Sequence, residues 1–356
     1  MKRYIAGLLS LLLLLPATLI SCSPSEESPK LEKFSAYSFD YFDTATTVAG
    51  YAETREEFDA VANEVFRLLG EYHKLYTIYH RYDGMENLCT INELVDGAHR
   101  TVTVDRRILD MLLYAREMHD RTGGRVNIAM GSVLSIWHTY REEGRTDPAS
   151  ASLPPMDQLR EAAAHTDIRN MVIDEENCTV TLTDPAMRLD VGAIAKGYAV
   201  EMIARHLEEQ GITGYVLNVG GNVRTLGVKG DGNPWIVGVE NPDQESDEKY
   251  LSELALTDYS SVTSGDYQRY YLVDGVRYHH IIDPTTLMPT TAFTSVSVVT
   301  PSSADGDALS TALFCMSFEE GLTLVESLPD TEVMWLFPNG ERKYSSGYAG
   351  FFREKN

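Results

Sequence analysis

Asp307 and Thr311 stand four residues apart in Ala304-Asp305-Gly306-Asp307-Ala308-Leu309-Ser310-Thr311. On a helix that spacing puts a carboxylate and a hydroxyl on one face near its start. With a backbone carbonyl from elsewhere they make an all-oxygen set of the kind Mg²⁺ prefers, completed by water and substrate phosphates. The plainer reading of the same stretch is a helix cap supplied by Asp305. Leu189-Asp190-Val191-Gly192-Ala193-Ile194-Ala195-Lys196-Gly197 offers glycines for close backbone approach and a helix start whose free N–H groups favour phosphate. Lys196 adds a local cation, and Asp190 is placed to orient the turn or the lysine. An ordinary glycine-bearing start of a helix has the same look. Asn218-Val219-Gly220-Gly221-Asn222 follows an apolar run. It spells a tight turn that brings backbone up to a planar or phosphorylated ligand, or simply joins two strands. Thr263-Ser264-Gly265-Asp266-Tyr267-Gln268-Arg269-Tyr270 precedes Tyr278-His279-His280-Ile281-Ile282-Asp283-Pro284. Adjacent histidines on a strand face opposite ways, so only one shares a face with the chemistry. His280, just before the Asp283-Pro284 turn, is read as held above a cleft, where a neutral imidazole serves as general base. A satisfied structural histidine is the commoner case. Together these parts are the kit for phosphoryl chemistry on a diphosphate.

The elements that must position them are interleaved strands and helices. Residues 56–76 carry a 3.6-residue apolar period through Phe58, Ala62, Val65, Leu69 and Leu75, and 105–121 carry another with Asp105 as cap. Residues 36–51 read as a first strand and 138–155, polar with prolines, as a surface insertion. A short helix is expected over 156–165, a strand pair at 171–174 and 178–183, and a helix ending near Gln210. Strands dominate from 214 to 300, helices follow at 305–316 and 318–326, and two strands close the domain. No regular βαβ period, repeat or linker interrupts the chain after residue 35, so the expectation is one α+β domain over 36–350.

The chain has 356 residues, 43% of them hydrophobic, enough for a sizeable core. Acidic side chains outnumber basic ones 53 to 30, for a formal net charge of -23. That field repels nucleic acid, and any anionic ligand must be held by a metal, backbone N–H groups or a few placed cations. Mean hydropathy is -0.21, which excludes a polytopic membrane protein. At the start, Lys2 and Arg3 precede an apolar run to Ile20 and then Ser21-Cys22, which looks like a bacterial lipobox. The expectation is a signal peptide over 1–21, lipidation of Cys22, and a Ser-, Glu- and Pro-bearing tether over 22–35. An ordinary signal peptide ending near a cysteine is the alternative. Both export the protein, and a multiply acylated Cys22 anchors it in a bilayer on the extracytoplasmic side of the cell envelope, inner or outer membrane being left open. Cys89, Cys178 and Cys315 are scattered, without a CxxC pair, and read as small buried hydrophobes.

These motifs, in this order over about residues 40–316, resemble the ApbE family of FAD:protein FMN transferases. The strongest stretches are LDVGAIAKGYAVE (189–201), NVGGN (218–222), TSGDYQRY (263–270), HIIDP (280–284) and DALSTALF (307–314). Phe42-Asp43-Thr44, Tyr79 to Asn92 and Thr122-Gly123-Gly124-Arg125-Val126-Asn127 match more loosely. The resemblance implies a T-fold-like core with FAD in a cleft between two lobes. It implies Mg²⁺ held by Asp307, Thr311 and the Ala193 carbonyl, with Lys196 beside the flavin nucleotide. His280 would take the proton from an acceptor hydroxyl. Thr44, Tyr79, Asp190, Asn218, Gly220, Gly221, Asn222, Ser264 and Gly265 are the flavin-contacting candidates. The implied reaction moves FMN from FAD onto a threonine or serine of an exported or membrane-bound redox subunit and releases AMP. Hydrolysis of FAD to FMN and AMP is the rival activity, and a surface lipoprotein that binds flavin or another solute without turnover is the rival class. The acceptor segment implied is like Asp-x-x-Ser/Thr-Gly-Ala-Thr. This chain lacks a complete one, so modification in trans is favoured. Three departures stand out: Phe42-Asp43 where the family commonly reads Met-Gly, Asn127 where many members carry aspartate, and Thr285-Thr286-Leu287-Met288-Pro289 where a glycine is usual.

Overall fold

The computed structural model describes residues 30–354. The signal peptide and Cys22 lie outside the described residues, as does most of the tether. Among the described residues an eight-stranded antiparallel sheet forms the centre. Its order is Glu32–Tyr41, Thr44–Ala52, Tyr215–Val219, Asn222–Leu226, Ser260–Gly265, Ser295–Thr300, Glu332–Leu336 and Arg342–Tyr344. Period-2 alternation sorts its side chains. Val296, Val298, Val333 and Trp335 face a helical layer, whereas Val299, Met334 and Leu336 face the other way.

The helical layer holds the Arg55–Tyr76, Ala195–Glu209 and Ser303–Phe314 helices. The first begins where Thr54 accepts from the Glu57 N–H while the Glu57 carboxylate accepts from the Thr54 N–H, a reciprocal cap. It buries Phe58, Ala62, Val65, Leu69 and Leu75, the residues whose spacing predicted it. Asp105 caps the Arg106–Arg121 helix as expected. On the opposite face of the sheet, the Trp235–Glu240 and Tyr250–Leu256 strands pair and bury Val237, Val239 and Leu254 against Met334 and Leu336. Cys89, Cys178 and Cys315 are free thiols, with Cys315 buried and the other two half-buried. No helix among the described residues is long and apolar enough to cross a membrane.

Three expectations need correction. The strand read over 36–51 is a hairpin, Glu32–Tyr41 and Thr44–Ala52, so it begins inside the stretch read as tether. Phe42 and Asp43 turn it, both with positive φ (52° and 51°), a geometry the two residue types do not advertise. The first half of the insertion read over 138–155 is the end of the Gly131–Thr146 helix, and 147–155 is loop. Val133 and Trp137 bury one face of it with Leu287, Tyr271 and Ile282, and Leu134, Ile136 and Tyr140 pack partly buried on the same cluster; of these helix residues all but Tyr140 precede residue 138. The 276–282 strand ends at His279, which leaves His280 in the bend beyond it.

Candidate active site

Asp307 sits in the first turns of the Ser303–Phe314 helix, which is capped by Ser302 rather than Asp305. Asp305 instead accepts from the Tyr114 hydroxyl at 2.9 Å. The helix is pinned at its start by Glu201, whose carboxylate accepts from the Ser303 N–H at 2.9 Å. Farther along it crosses the Ala195–Glu209 helix at Gly197. A Cβ on Gly197 would lie 2.3 Å from Asp307 Cβ and 2.4 Å from the Ser303 carbonyl oxygen, so only glycine permits this crossing. The Gly197 N–H donates to Asp307 Oδ2 at 2.8 Å, and Lys196 Nζ lies 3.4 Å from Oδ1. With its side chain 6% exposed, the Asp307 carboxylate is desolvated but compensated.

The two histidines are sorted by their hydrogen bonds. His279 is buried; its Nδ1 accepts from the Ile281 N–H, and its Nε2 donates to the Thr290 carbonyl at 2.6 Å. That is a satisfied structural histidine. His280 places Nδ1 3.3 Å from the Arg269 carbonyl, to which it can only donate, leaving Nε2 with a free lone pair. Burial, aided by the charges of Arg269, Arg141 and Lys196 and by His279, pulls the His280 pKa down to about 3. The imidazole is therefore neutral at physiological pH.

The glycine turns are built locally. Asn218 Oδ1 accepts from the Gly221 N–H at 3.0 Å, and Gly220 (φ 57°) presses against Thr44 so closely that a Cβ would meet Thr44 Oγ1 at 2.4 Å. Asp190 Oδ1 accepts from the Gly192 N–H, while burial raises its carboxyl pKa. Ser264 shares a 2.8 Å hydrogen bond with Ser310, tying its strand to the Asp307 helix.

These groups surround one cavity of about 410 Å³. Thr44, Tyr79, Asp190, Lys196, Gly220, Asn222, Ser264, Gly265, His280, Ala193, Asp307 and Thr311 line it; Asn218 and Gly221 do not, and serve the turn instead. Arg141, Arg269, His138 and Trp137 also line it and escaped the sequence reading as site residues. Arg269 lay inside the TSGDYQRY stretch already singled out. Arg141 and His138 were hidden in the supposed insertion. Arg141 donates to His138 Nδ1 at 2.7 Å, and Tyr79 packs on the His138 ring at 5.9 Å between centroids.

The departures acquire local explanations. Asn127 donates to the Thr166 carbonyl and accepts from the Ala129 N–H, a pairing an ionised aspartate cannot complete. Leu287 takes φ 62°, where glycine would be unstrained, and is held by burial with Trp137, whose indole N–H donates to the Leu287 carbonyl at 2.9 Å. Arg125 steadies the same loop through Asp283 at 3.2 Å and Thr285 at 3.0 Å. No group of three or more His, Cys, Asp or Glu side chains suited to a metal occurs among the described residues. A single carboxylate with a hydroxyl and a carbonyl remains a donor set suited to Mg²⁺, which binds few protein oxygens and keeps sites for water and phosphate.

Fold and cavity together define a single-domain α+β protein whose cavity joins glycine turns, placed cations and an acid–hydroxyl pair. The sequence matches the ApbE family over residues 42–335. It is 33% identical over 305 residues to the FAD:protein FMN transferase of Treponema pallidum, covering 82% of this chain and 81% of that protein. Against the FAD:protein FMN transferase of Klebsiella pneumoniae it is 31% identical over 289 residues, covering 81% and 85% respectively. The fold is similar to the crystal structure of the ApbE protein from Thermotoga maritima, with a TM-score of 0.77 and 26% identity, covering 91% of this chain and all of that one. It is similar also to the flavin transferase ApbE from Vibrio cholerae, with a TM-score of 0.74 and 26% identity over 91% of this chain and 100% of that one. The chain belongs to the ApbE family.

Proposed function

We propose that the chain acts as an FAD:protein FMN transferase through the cavity around Asp307 and His280. The reaction is attack by an acceptor threonine or serine oxygen on the FMN phosphorus of FAD. The bond from that phosphorus to the oxygen bridging it to AMP breaks, AMP leaves, and one proton is released. The observation that carries the reading is that residues from all five strong motifs meet in one cavity, among them a neutral histidine with a free ring nitrogen.

In this reading His280 Nε2 takes the hydroxyl proton, and its Nδ1–H bond to Arg269 holds the ring for that task. Asp307, Thr311 and the Ala193 carbonyl would hold Mg²⁺, which when bound neutralises diphosphate charge and polarises the phosphoryl oxygens. Lys196 is shared between Asp307 and the nucleotide. Arg141 and Arg269 bring positive charge to a strongly acidic protein where the phosphates must sit. Thr44, Gly220, Asn222, Ser264 and Gly265 shape the wall against the flavin, with Asn218 and Gly221 supporting the turn. FAD lies in the cleft between two lobes of a T-fold-like core. Residues 1–21 direct export, Cys22 carries the lipid, and residues 22–35 tether the 36–350 domain to the envelope, where exported redox subunits are the acceptors.

The test incubates the full chain in detergent with FAD, Mg²⁺ and a redox-protein fragment bearing a Ser/Thr-Gly-Ala-Thr segment, and follows the fragment's intact mass. The expected result is a gain of one FMN less water, with AMP released. His280→Ala lowers the rate by about 10²–10⁴-fold, and EDTA silences it. AMP and free FMN with an unlabelled acceptor would establish hydrolysis instead.

A further inference from the structure

The outer face of the eight-stranded sheet is only partly covered. The Trp235–Glu240 and Tyr250–Leu256 hairpin closes it over Val299, Met334 and Leu336, and at its Trp235 end packs on Tyr51 and beneath Lys33 of the first two strands. Beside that hairpin opens a second cavity of about 560 Å³. Thr47, Asn218 and Val223, in register across three neighbouring strands, form its floor. Its wall is the Trp235–Glu240 strand, which pairs along one edge with Tyr250–Leu256. Its other edge makes no backbone hydrogen bond among the described residues. Ile236 and Tyr250 line the groove while 38% and 37% exposed. An unpaired strand edge over a partly apolar floor is the arrangement to which an extended peptide adds, with main-chain bonds giving affinity and the floor giving choice.

The groove opens on the sheet face away from the helical layer and shares no lining residue with the catalytic cavity, but the chain links the two at one end of the sheet. Asn218 lies in its floor and Gly220, two residues on, lines the cavity; Thr47 lies in its floor and Thr44, three residues back, lines the cavity. At the end of the wall strand, Glu240 is close enough to Tyr267 to join burial in raising the phenol's pKa to about 12. The Tyr267 ring lies against Gly265, where a Cβ would come within 2.4 Å of it, and Gly265 lines the cavity. A chain lying along the free edge and turning past its Glu240 end therefore meets Tyr267 and Gly265 at the margin of the catalytic cavity.

We infer that an extended segment of the flavin-accepting protein docks as an added strand on the free edge of Trp235–Glu240, over Thr47, Asn218 and Val223, and so delivers its hydroxyl to the catalytic cavity. This inference rests on the transferase reading. The test uses the full chain with FAD, Mg²⁺ and the redox-protein fragment as probe. Ile236→Glu and Tyr250→Ser raise the KM for the fragment about tenfold or more, and leave FAD affinity, read by flavin fluorescence, unchanged. In a second arm, the fragment with its reactive threonine changed to valine slows amide hydrogen exchange over residues 235–240, whereas FAD alone does not. Unchanged KM and unchanged exchange, with the wild-type chain labelling the fragment normally, overturn the inference. A wild-type chain that binds FAD and labels nothing sinks the transferase reading instead, and the exchange arm still decides whether this edge takes the segment.

Discussion

His280 and His279 differ by one position and do opposite jobs because their rings meet different carbonyls. Donation from Nδ1 to Arg269 leaves a basic nitrogen at Nε2, while His279 spends both nitrogens on its own loop. The depressed pKa of His280 has a signed consequence. A base works only when unprotonated, so its contribution is present above the folded pKa of about 3 and is lost only as pH falls through that value. The kcat/KM for FAD, which reports the free enzyme, is expected to show no acid limb near 6.5 and to stay level from pH 8 to 5. An acid midpoint at 6.5 in the wild type, absent from His280→Gln, would show that burial does not control this ring. The motif around His280 stood out in the sequence because a histidine just before the Asp283-Pro284 turn can be held above a cleft. Which ring nitrogen is free was not legible, since it depends on a carbonyl eleven residues away.

Among the elements, the crossing of the Ala195–Glu209 and Ser303–Phe314 helices decides where Asp307 sits. The sequence announced both helices, and glycine at 197 hinted at close approach. That the approach is to Asp307 itself required the fold. Gly197→Ala drives a methyl into Asp307 and the Ser303 carbonyl, so the helices must separate. Overpacking of this kind costs about 1–3 kcal/mol of stability. Mg²⁺ affinity, read by calorimetry on the folded variant, is expected to fall about tenfold or more. Retention of wild-type Mg²⁺ affinity would dissociate Gly197 from the proposed metal site. The Gly131–Thr146 helix shows the opposite failure of legibility. Its apolar residues Val133, Leu134, Ile136 and Trp137 precede residue 138, so the polar half that follows read as loop, and Arg141 was lost with it.

On the scale of the whole molecule, burial lowers the pKa values of His73, His99, His279 and His280, desolvation being the largest cause in each. In the unfolded chain these rings take up protons near pH 6.5, whereas in the folded chain they resist until lower pH. The unfolded state thus binds more protons below 6.5, and stability falls as pH falls. The slope is at most about 1.4 kcal/mol per pH unit for each histidine that stays neutral. Asp190 and Asp266, whose folded pKa values are raised, oppose this by gaining protons in the native state. The histidines outnumber them, so the melting temperature is expected to drop between pH 7 and pH 5. An equal or higher value at pH 5 would contradict the expectation. The α+β class, helices and strand-rich second half were readable from periodicity, but the strand order was not, because it is set by pairings between residues as far apart as Thr46 and Val219.

The contact at Gly197 also has a genetic meaning. Every amino acid other than glycine carries a Cβ, so each missense change of that codon places an atom inside Asp307's packing shell. The usual gradation from conservative to radical replacement is absent there. Drift at this position has no mild first step, and a lineage that retains the crossing inherits the glycine with it.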